Sequence, residues 1–408
     1  MRARRVVQVV AVLVGAACTF FAGWNYSDAS SAWQEAVRVE VEKAGVHQDE
    51  VRQVYANEGP FAFRVAVLQI RAAALAPLGE NARTERTIAE NSAFALRQAS
   101  DPTSLLGQRR YDLPGGGSDL ARRLADLGAK REKPLPDPDV PDREGDELAL
   151  AALWISVITV LVTGVAVAGA SVRGRESSLQ LVPQPGAVPE QERRLTFLLL
   201  AVWAAGVLLP LTQLAFSSLE QRHQADSARH AVQARSAESI SSTRTEFRVT
   251  SLQIAREGSV AATAREIDAV YGDARTAARD LARAEADAAT RSEAVAERMA
   301  RTDGVESGLA TALTSRPHNW AALKALSDRE ADLADVYGMV SNTMLGLIGF
   351  LVLAEVRVHL VAERRRRPQP ERRSLARRDR RTVGLFCLAV AVAVALWLAR
   401  RRRTTGRE

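Results

Sequence analysis

Residues 247–254 read FRVTSLQI, and residues 63–70 repeat this stretch with two changes, as FRVAVLQI. Six of the eight residues recur in the same order and spacing, at an offset of 184 positions between Phe63 and Phe247. Each copy lies in a long polar segment that is preceded and followed by an apolar run. Because the order of these flanking segments repeats together with the motif, the sequence predicts a tandem duplication of one unit.

The apolar runs divide the chain into membrane and polar segments. A helix needs about 20 apolar residues to cross the hydrocarbon core of a bilayer. Runs of about this length cover residues 6–24, 148–172, 195–216, 337–361 and 383–399. The polar segments between them are 25–147, 173–194, 217–336 and 362–382, and a basic tail covers 400–408. The sequence therefore predicts an all-α, multi-pass membrane protein with two extracytoplasmic helical-bundle domains, 25–147 and 217–336, in tandem.

The repeated stretch itself is predicted to be helical. The apolar residues around 63–70 alternate as in a β-strand, but over a longer window they follow helical spacing and continue into an Ala-rich segment. In the second polar segment, Ile240, Phe247 and Ile254 recur every seven residues, which is typical of a coiled-coil seam. We therefore expect the shared apolar residues to pack inside a helical bundle.

Helix boundaries follow from the glycines and prolines. A first helix is expected to end near Gly45, and one long charged helix is expected over 261–301. The Pro-rich stretch 133–142 (KPLPDPDVPD) is expected to be irregular. In outline, these antiparallel helices joined to membrane spans are similar to the extracytoplasmic helical bundles of bacterial chemoreceptors, which implies a likeness of architecture alone.

Basic residues indicate the orientation of the spans. Short loops rich in Arg stay on the cytoplasmic side of a membrane. Ten arginines crowd the segment 362–382, namely Arg364, Arg365, Arg366, Arg367, Arg372, Arg373, Arg377, Arg378, Arg380 and Arg381. Further arginines precede the first run, 6–24, and lie within the segment 173–194. The first run also fits a signal anchor. The prediction is a bacterial plasma-membrane protein with a cytoplasmic N-terminus, although five spans would place the basic tail outside.

The Arg-rich loop is predicted to contact anionic lipid headgroups. A segment tied to the bilayer at both ends meets lipid constantly, and each Arg near an anionic surface contributes about 1 kcal/mol. Nucleic acid is not expected as a partner, because the loop lacks the interleaved aromatic residues or folded basic face that would bind it.

One group of polar residues could hold a metal ion. His223, Asp226 and His230 share a helix face at spacings of three and four, with Glu220 a turn earlier. Imidazole and carboxylate groups on one face can converge on a divalent ion, but a solvated helix face beside a membrane would have the same composition. We therefore expect no metal and no cofactor, and His223, Asp226 and His230 are only weak candidates for a metal site.

No catalytic pattern is present in the sequence, such as HExxH, GxSxG or a phosphate-binding loop. We therefore expect a non-enzymatic membrane protein whose outer domains bind a partner or ligand, as a sensor-like protein or an envelope scaffold. Its partners would be the bilayer, other envelope proteins or further copies of this chain. The alternative is a transporter or channel subunit, or an accessory component of a transport complex. The absence of charged residues from the first three runs argues against an ion or proton relay.

Overall fold

The computed structural model describes residues 2–131, 133–178, 189–271, 275–300 and 320–366. Within these ranges the chain is helical, and an isolated bridge between Asp112 and Ser118 is the one β-type pairing. The all-α prediction is therefore confirmed. Three helical stretches are long and apolar enough to cross a membrane by length and composition: Val14–Gln98, Asp139–Gly164 and Trp320–Leu353. These stretches contain the predicted first, second and fourth spans in whole or in part.

Eight α-helices follow one another along the described chain. They are α1 (Arg2–Val51), α2 (Gly59–Leu75), α3 (Arg83–Gln98), α4 (Leu120–Ala129), α5 (Asp139–Ser178), α6 (Pro189–Tyr271), α7 (Arg275–Ala300) and α8 (Trp320–Arg366). A π-helical segment, Arg52–Glu58, joins α1 to α2, and short 3-10 segments cover Ala76–Ala82 and Arg109–Tyr111. The predicted third span, 195–216, lies within α6, and the predicted fifth span, 383–399, lies outside the described residues.

The chain forms two compact units. The first unit comprises Met1–Gly15, Ile158–Gln213 and Val340–Glu408, and the second comprises Ala16–Val157 and Leu214–Met339. The second unit thus contains most of both polar segments, which the sequence divided into two domains. This grouping has a physical reason, because each segment supplies helices with one apolar face, and the two faces cover one another.

Both copies of the repeated stretch lie in the core of the second unit. Phe63 on α2 is 0% exposed and Phe247 on α6 is 2% exposed, and both belong to the same hydrophobic cluster. The Phe247 ring meets the Tyr55 ring edge to face, with 5.9 Å between ring centroids. A Cβ at Gly59 would lie 2.9 Å from the Phe247 ring, so a glycine is what lets α2 approach α6 so closely. The packing role of Phe247 is therefore confirmed.

The expected long helix over 261–301 is wrong. Helix α6 ends at Tyr271 and α7 begins at Arg275, with Gly272, Asp273 and Ala274 between them in the sequence. The two helices pack antiparallel, because Arg248 on α6 pairs with Glu297 and Arg265 pairs with Glu285. Uniformly helix-forming composition hid this boundary, since a Gly-Asp pair is a weak break signal inside an Ala-rich segment.

Two other boundaries also differ from expectation. Helix α1 continues through Gly45 to Val51, because a single glycine costs a helix only about 1 kcal/mol and tertiary packing exceeds that. Helix α5 begins at Asp139, inside the stretch expected to be irregular. Pro141 lies in its first turn, where the missing N–H has no helical partner to lose.

Candidate functional site

The candidate site lies where α6 and α8 pack side by side in the second unit. The Phe216 and Tyr337 rings stack at 6.2 Å, and the Ser327 hydroxyl donates a hydrogen bond to the Ser227 carbonyl at 3.0 Å. The residue numbers of the contacting positions decrease along α8 as they increase along α6, so the two helices are antiparallel. This register sets which side chains of the two helices meet between these contacts.

Three potential metal ligands converge in that register. His223 and Asp226 project from one face of α6, and Glu330 projects from α8. One possible ligand atom from each residue lies within 4.8 Å of the other two, and all three residues are half-buried. The His223 Nδ1 atom lies 2.6 Å from the Glu330 Oε2 atom. The Tyr337 ring stacks on the imidazole at 5.2 Å with an interplanar angle of 3°, which fixes the ring orientation.

The electrostatic environment opposes ionisation of Asp226. Burial, and next the negative charge of Asp142, raise the pKa of the Asp226 carboxyl, and Glu330 adds to the effect. Arg222 and Arg229 act in the opposite direction but do not cancel these effects. Both arginines are also engaged by other carboxylates. Arg222 donates to Asp146 at 2.8 Å, while Arg229 pairs at 2.7 Å with both Asp139 and Asp142.

The structure brings together part of the set that the sequence suggested. His223 and Asp226 lie in the cluster, whereas His230 is half-buried on α6 and is not among the three converging residues. Glu220 approaches the α8 backbone, since a Cβ at Gly338 would lie 2.8 Å from its Oε1 atom. Burial, followed by the charge of Asp335, raises the pKa of Glu220.

Sequence reasoning missed Glu330, although a signal for it was present. His223 follows the first residue of the second polar segment, Ser217, by six positions, and Glu330 precedes its last residue, Val336, by six. Two antiparallel helices that leave a membrane at those boundaries would carry both residues at the same height. Glu330 is recognised only when α6 and α8 are paired first, because it lies on a different helix from His223 and Asp226.

The predicted lipid-contacting arginines are placed only in part. Arg364, Arg365 and Arg366 form the last turn of α8, and nothing is described of their side chains. The other seven, Arg367, Arg372, Arg373, Arg377, Arg378, Arg380 and Arg381, lie outside the described residues. Lipid contact by this loop stays a prediction.

We expect Asp226→Asn to stabilise the metal-free protein at neutral pH. A carboxyl whose pKa is raised by folding binds its proton more tightly in the folded state, so its contribution to stability falls as pH rises above the unfolded value of about 4. Urea unfolding of both proteins in chelator should show a higher midpoint for the variant at pH 7 and a smaller difference near pH 4. A lower midpoint for Asp226→Asn at pH 7 would contradict the electrostatic argument.

Chemically, the cluster offers one imidazole and two carboxylates held between two helices. Such a set can bind a cation, or can act as a histidine–carboxylate pair that links α6 to α8. No protein family, curated protein or solved structure matches this chain.

Proposed function

We propose that this chain is a non-enzymatic integral membrane protein of the bacterial plasma membrane, which presents a helical extracytoplasmic unit for binding a partner or ligand. The observation that carries the proposal is that α8 combines a polar first part with an apolar later part. Its first part supplies polar residues to the second unit, including Glu330, and its later part contributes to an apolar stretch long enough to span a bilayer. Helices α1 and α5 combine the two kinds of sequence in the same way.

Exposed apolar side chains support a membrane location for the candidate spans. Phe350 on α8 is 68% exposed, and Leu161 and Trp154 on α5 are 62% and 60% exposed. A helix surface of this kind needs a lipid environment or another protein to cover it. The second unit buries one cluster of large apolar side chains around Phe63 and Phe247, while others such as Phe61 and Phe94 are exposed.

The polar residues of the second span give little support to the transporter alternative. Ser156, Thr159 and Thr163 are buried on α5. The Ser156 hydroxyl donates to the Ala152 carbonyl at 2.8 Å, and the Thr163 hydroxyl donates to the Thr159 carbonyl. Hydroxyls that bond to their own helix are a common device for satisfying polar groups in lipid, and they do not by themselves form a pathway.

The tandem duplication is part of the same proposal. Both motif copies are helical and contribute a phenylalanine to one core. Two duplicated halves that pack on each other would give this arrangement.

Thiol labelling in intact cells tests the orientation. In a background that carries Cys18→Ser and Cys387→Ser, the variants Thr84→Cys and Ser242→Cys should react with a membrane-impermeant maleimide before lysis. Both positions are exposed on the second unit. Ser177→Cys and Ser374→Cys, in the Arg-rich segments 173–194 and 362–382, should react only after lysis. Labelling of either loop variant in intact cells, with protection of Thr84→Cys, would reverse the proposed orientation.

In-cell crosslinking tests the binding role. A photoreactive amino acid at Thr84 or Ser242 should give discrete crosslinked products outside the membrane, to another envelope protein or to a second copy of the chain. The same probe at Ser177 serves as the matched control in a loop. An absence of crosslinks at several exposed positions of the second unit, together with substrate transport by purified protein in vesicles, would favour the transporter alternative.

A further inference from the structure

We propose that His223, Asp226 and Glu330 bind one divalent transition-metal ion, which joins α6 to α8. The three side chains come from two helices, and their ligand atoms already lie within 4.8 Å of one another. Bonds from such an ion to imidazole nitrogen or carboxylate oxygen are about 2.0–2.2 Å long, so bound ligand atoms lie about 3–3.5 Å apart. Side-chain rotation of the half-buried residues can close the remaining distance without a change in the helix register.

A simple ion pair does not account for the whole cluster. Contact between His223 and Glu330 pairs those two residues and does not engage Asp226, which lies on the same face of α6 as His223. The charged groups that act on Asp226 are Asp142 from α5, Arg222 and Arg229 from its own helix, and Glu330 from α8. Burial is the largest cause that raises the pKa of Asp226, and the Asp142 and Glu330 carboxylates add to it. A bound cation would offset the repulsion among these carboxylates.

The donor set indicates the class of ion. One imidazole nitrogen with carboxylate oxygens suits Zn²⁺, Co²⁺, Ni²⁺ or Mn²⁺, whereas Ca²⁺ and Mg²⁺ favour sites built from oxygen alone. The parallel stacking of Tyr337 on His223 would hold the imidazole in one orientation, as neighbours of metal ligands commonly do. Three protein ligands leave a further coordination position for water or for a group from a bound partner.

The inference does not rest on the orientation of the protein in the membrane, since the site is formed within the second unit alone. An ion bound there stabilises the packing of α6 on α8. Binding to the folded state alone raises the apparent stability with the logarithm of the ratio of ion concentration to the dissociation constant. Metal binding should therefore be visible both as heat and as a rise in Tm.

Calorimetric titration of the full-length, tag-free protein with Zn²⁺ tests the site. The protein is first stripped with chelator in detergent and then dialysed. We expect one ion per chain with a dissociation constant in the micromolar range or below, and a rise in Tm on addition of Zn²⁺. The variants His223→Gln, Asp226→Asn and Glu330→Gln should each weaken binding by at least about tenfold, the lower end of the effect seen even for groups that only orient metal ligands.

Matched controls distinguish binding at this site from nonspecific binding to other acidic residues. Asp328→Asn and Asp332→Asn remove exposed carboxylates from the same part of α8 and should leave Zn²⁺ affinity unchanged. Urea unfolding of Asp226→Asn without metal shows whether the variant is folded, and so distinguishes loss of a ligand from unfolding. The proposal is overturned by absence of Zn²⁺ binding to the parent, or by equal affinity in the parent, Asp226→Asn and Glu330→Gln. Tighter binding of Mg²⁺ or Ca²⁺ than of Zn²⁺ would overturn the assignment of the ion class.

Discussion

Replacement of Phe247 by alanine is expected to lower the free energy of unfolding of the second unit by about 3–5 kcal/mol. Phe247 is 2% exposed, and its ring packs against the Tyr55 ring and close to the Gly59 backbone. A loss of this size is comparable to the whole stability of a small domain. Arg248→Ala, at the next position, should change stability by less than about 1 kcal/mol, since its contact with Glu297 is an exposed ion pair.

Urea unfolding of the full chain in detergent, followed by circular dichroism, measures the difference between the two variants. Phe63→Ala provides an internal comparison, because Phe63 is the matching residue of the other motif copy and is fully buried in the same cluster. A common core predicts that Phe63→Ala and Phe247→Ala shift one shared transition. Two separate domains would instead give two transitions, each moved by one variant only. A parent-like midpoint for Phe247→Ala would mean that this side chain is a recognition surface rather than core.

The secondary structure of this chain was largely predictable, because local composition determines it. Helical spacing over a long window correctly made the stretch around Phe63 a helix rather than a strand. The LPGGGSD segment at 113–119 forms a turn in which Gly115, Gly116 and Gly117 all adopt positive φ. Backbone conformations that favour glycine leave a direct mark in the sequence.

The pairing of the helices was not predictable in the same way. The apolar seam of α6 indicates that some helix covers Phe247, but several Ala-rich helices fit such a seam equally well. In the structure the partners include Tyr55 on the π-helical segment and Val295 on α7, which are far apart in sequence. Contacts between distant segments depend on how all the helices assemble, so no local pattern specifies them.

The candidate site shows the same limit. The spacing of His223 and Asp226 is a local property of α6 and was visible in the sequence. Glu330 joins them only through the antiparallel register of α6 and α8, and His230 is not among the three converging residues. A search along α6 alone therefore finds two of the three ligands of a site that is built across two helices.

Replacement of Glu58 by alanine is expected to cost about 3–5 kcal/mol, because it leaves a buried arginine without its counter-charge. The Arg123 side chain is 4% exposed and that of Glu58 12% exposed, and two hydrogen bonds of 3.0 and 2.9 Å join them. Glu58 also accepts a hydrogen bond from the Leu105 backbone N–H at 2.8 Å. Glu80→Ala is the matched control, since its contact with Arg83 is exposed and should contribute less than about 1 kcal/mol.

A double variant distinguishes the charge from the side-chain volume. Glu58→Gln keeps an acceptor for the Leu105 N–H but leaves Arg123 as an uncompensated buried cation, so it should still be strongly destabilised. Combining it with Arg123→Met removes that cation and retains most of the side-chain volume. Apolar replacements for buried ion pairs are often neutral or stabilising relative to the broken pair. The double variant should therefore be more stable than Glu58→Gln alone, with chemical unfolding of the full chain as the measurement. If the losses of stability caused by Glu58→Gln and by Arg123→Met simply add in the double variant, the pair contributes packing rather than charge compensation. The large effect expected for Glu58→Ala then has a different origin.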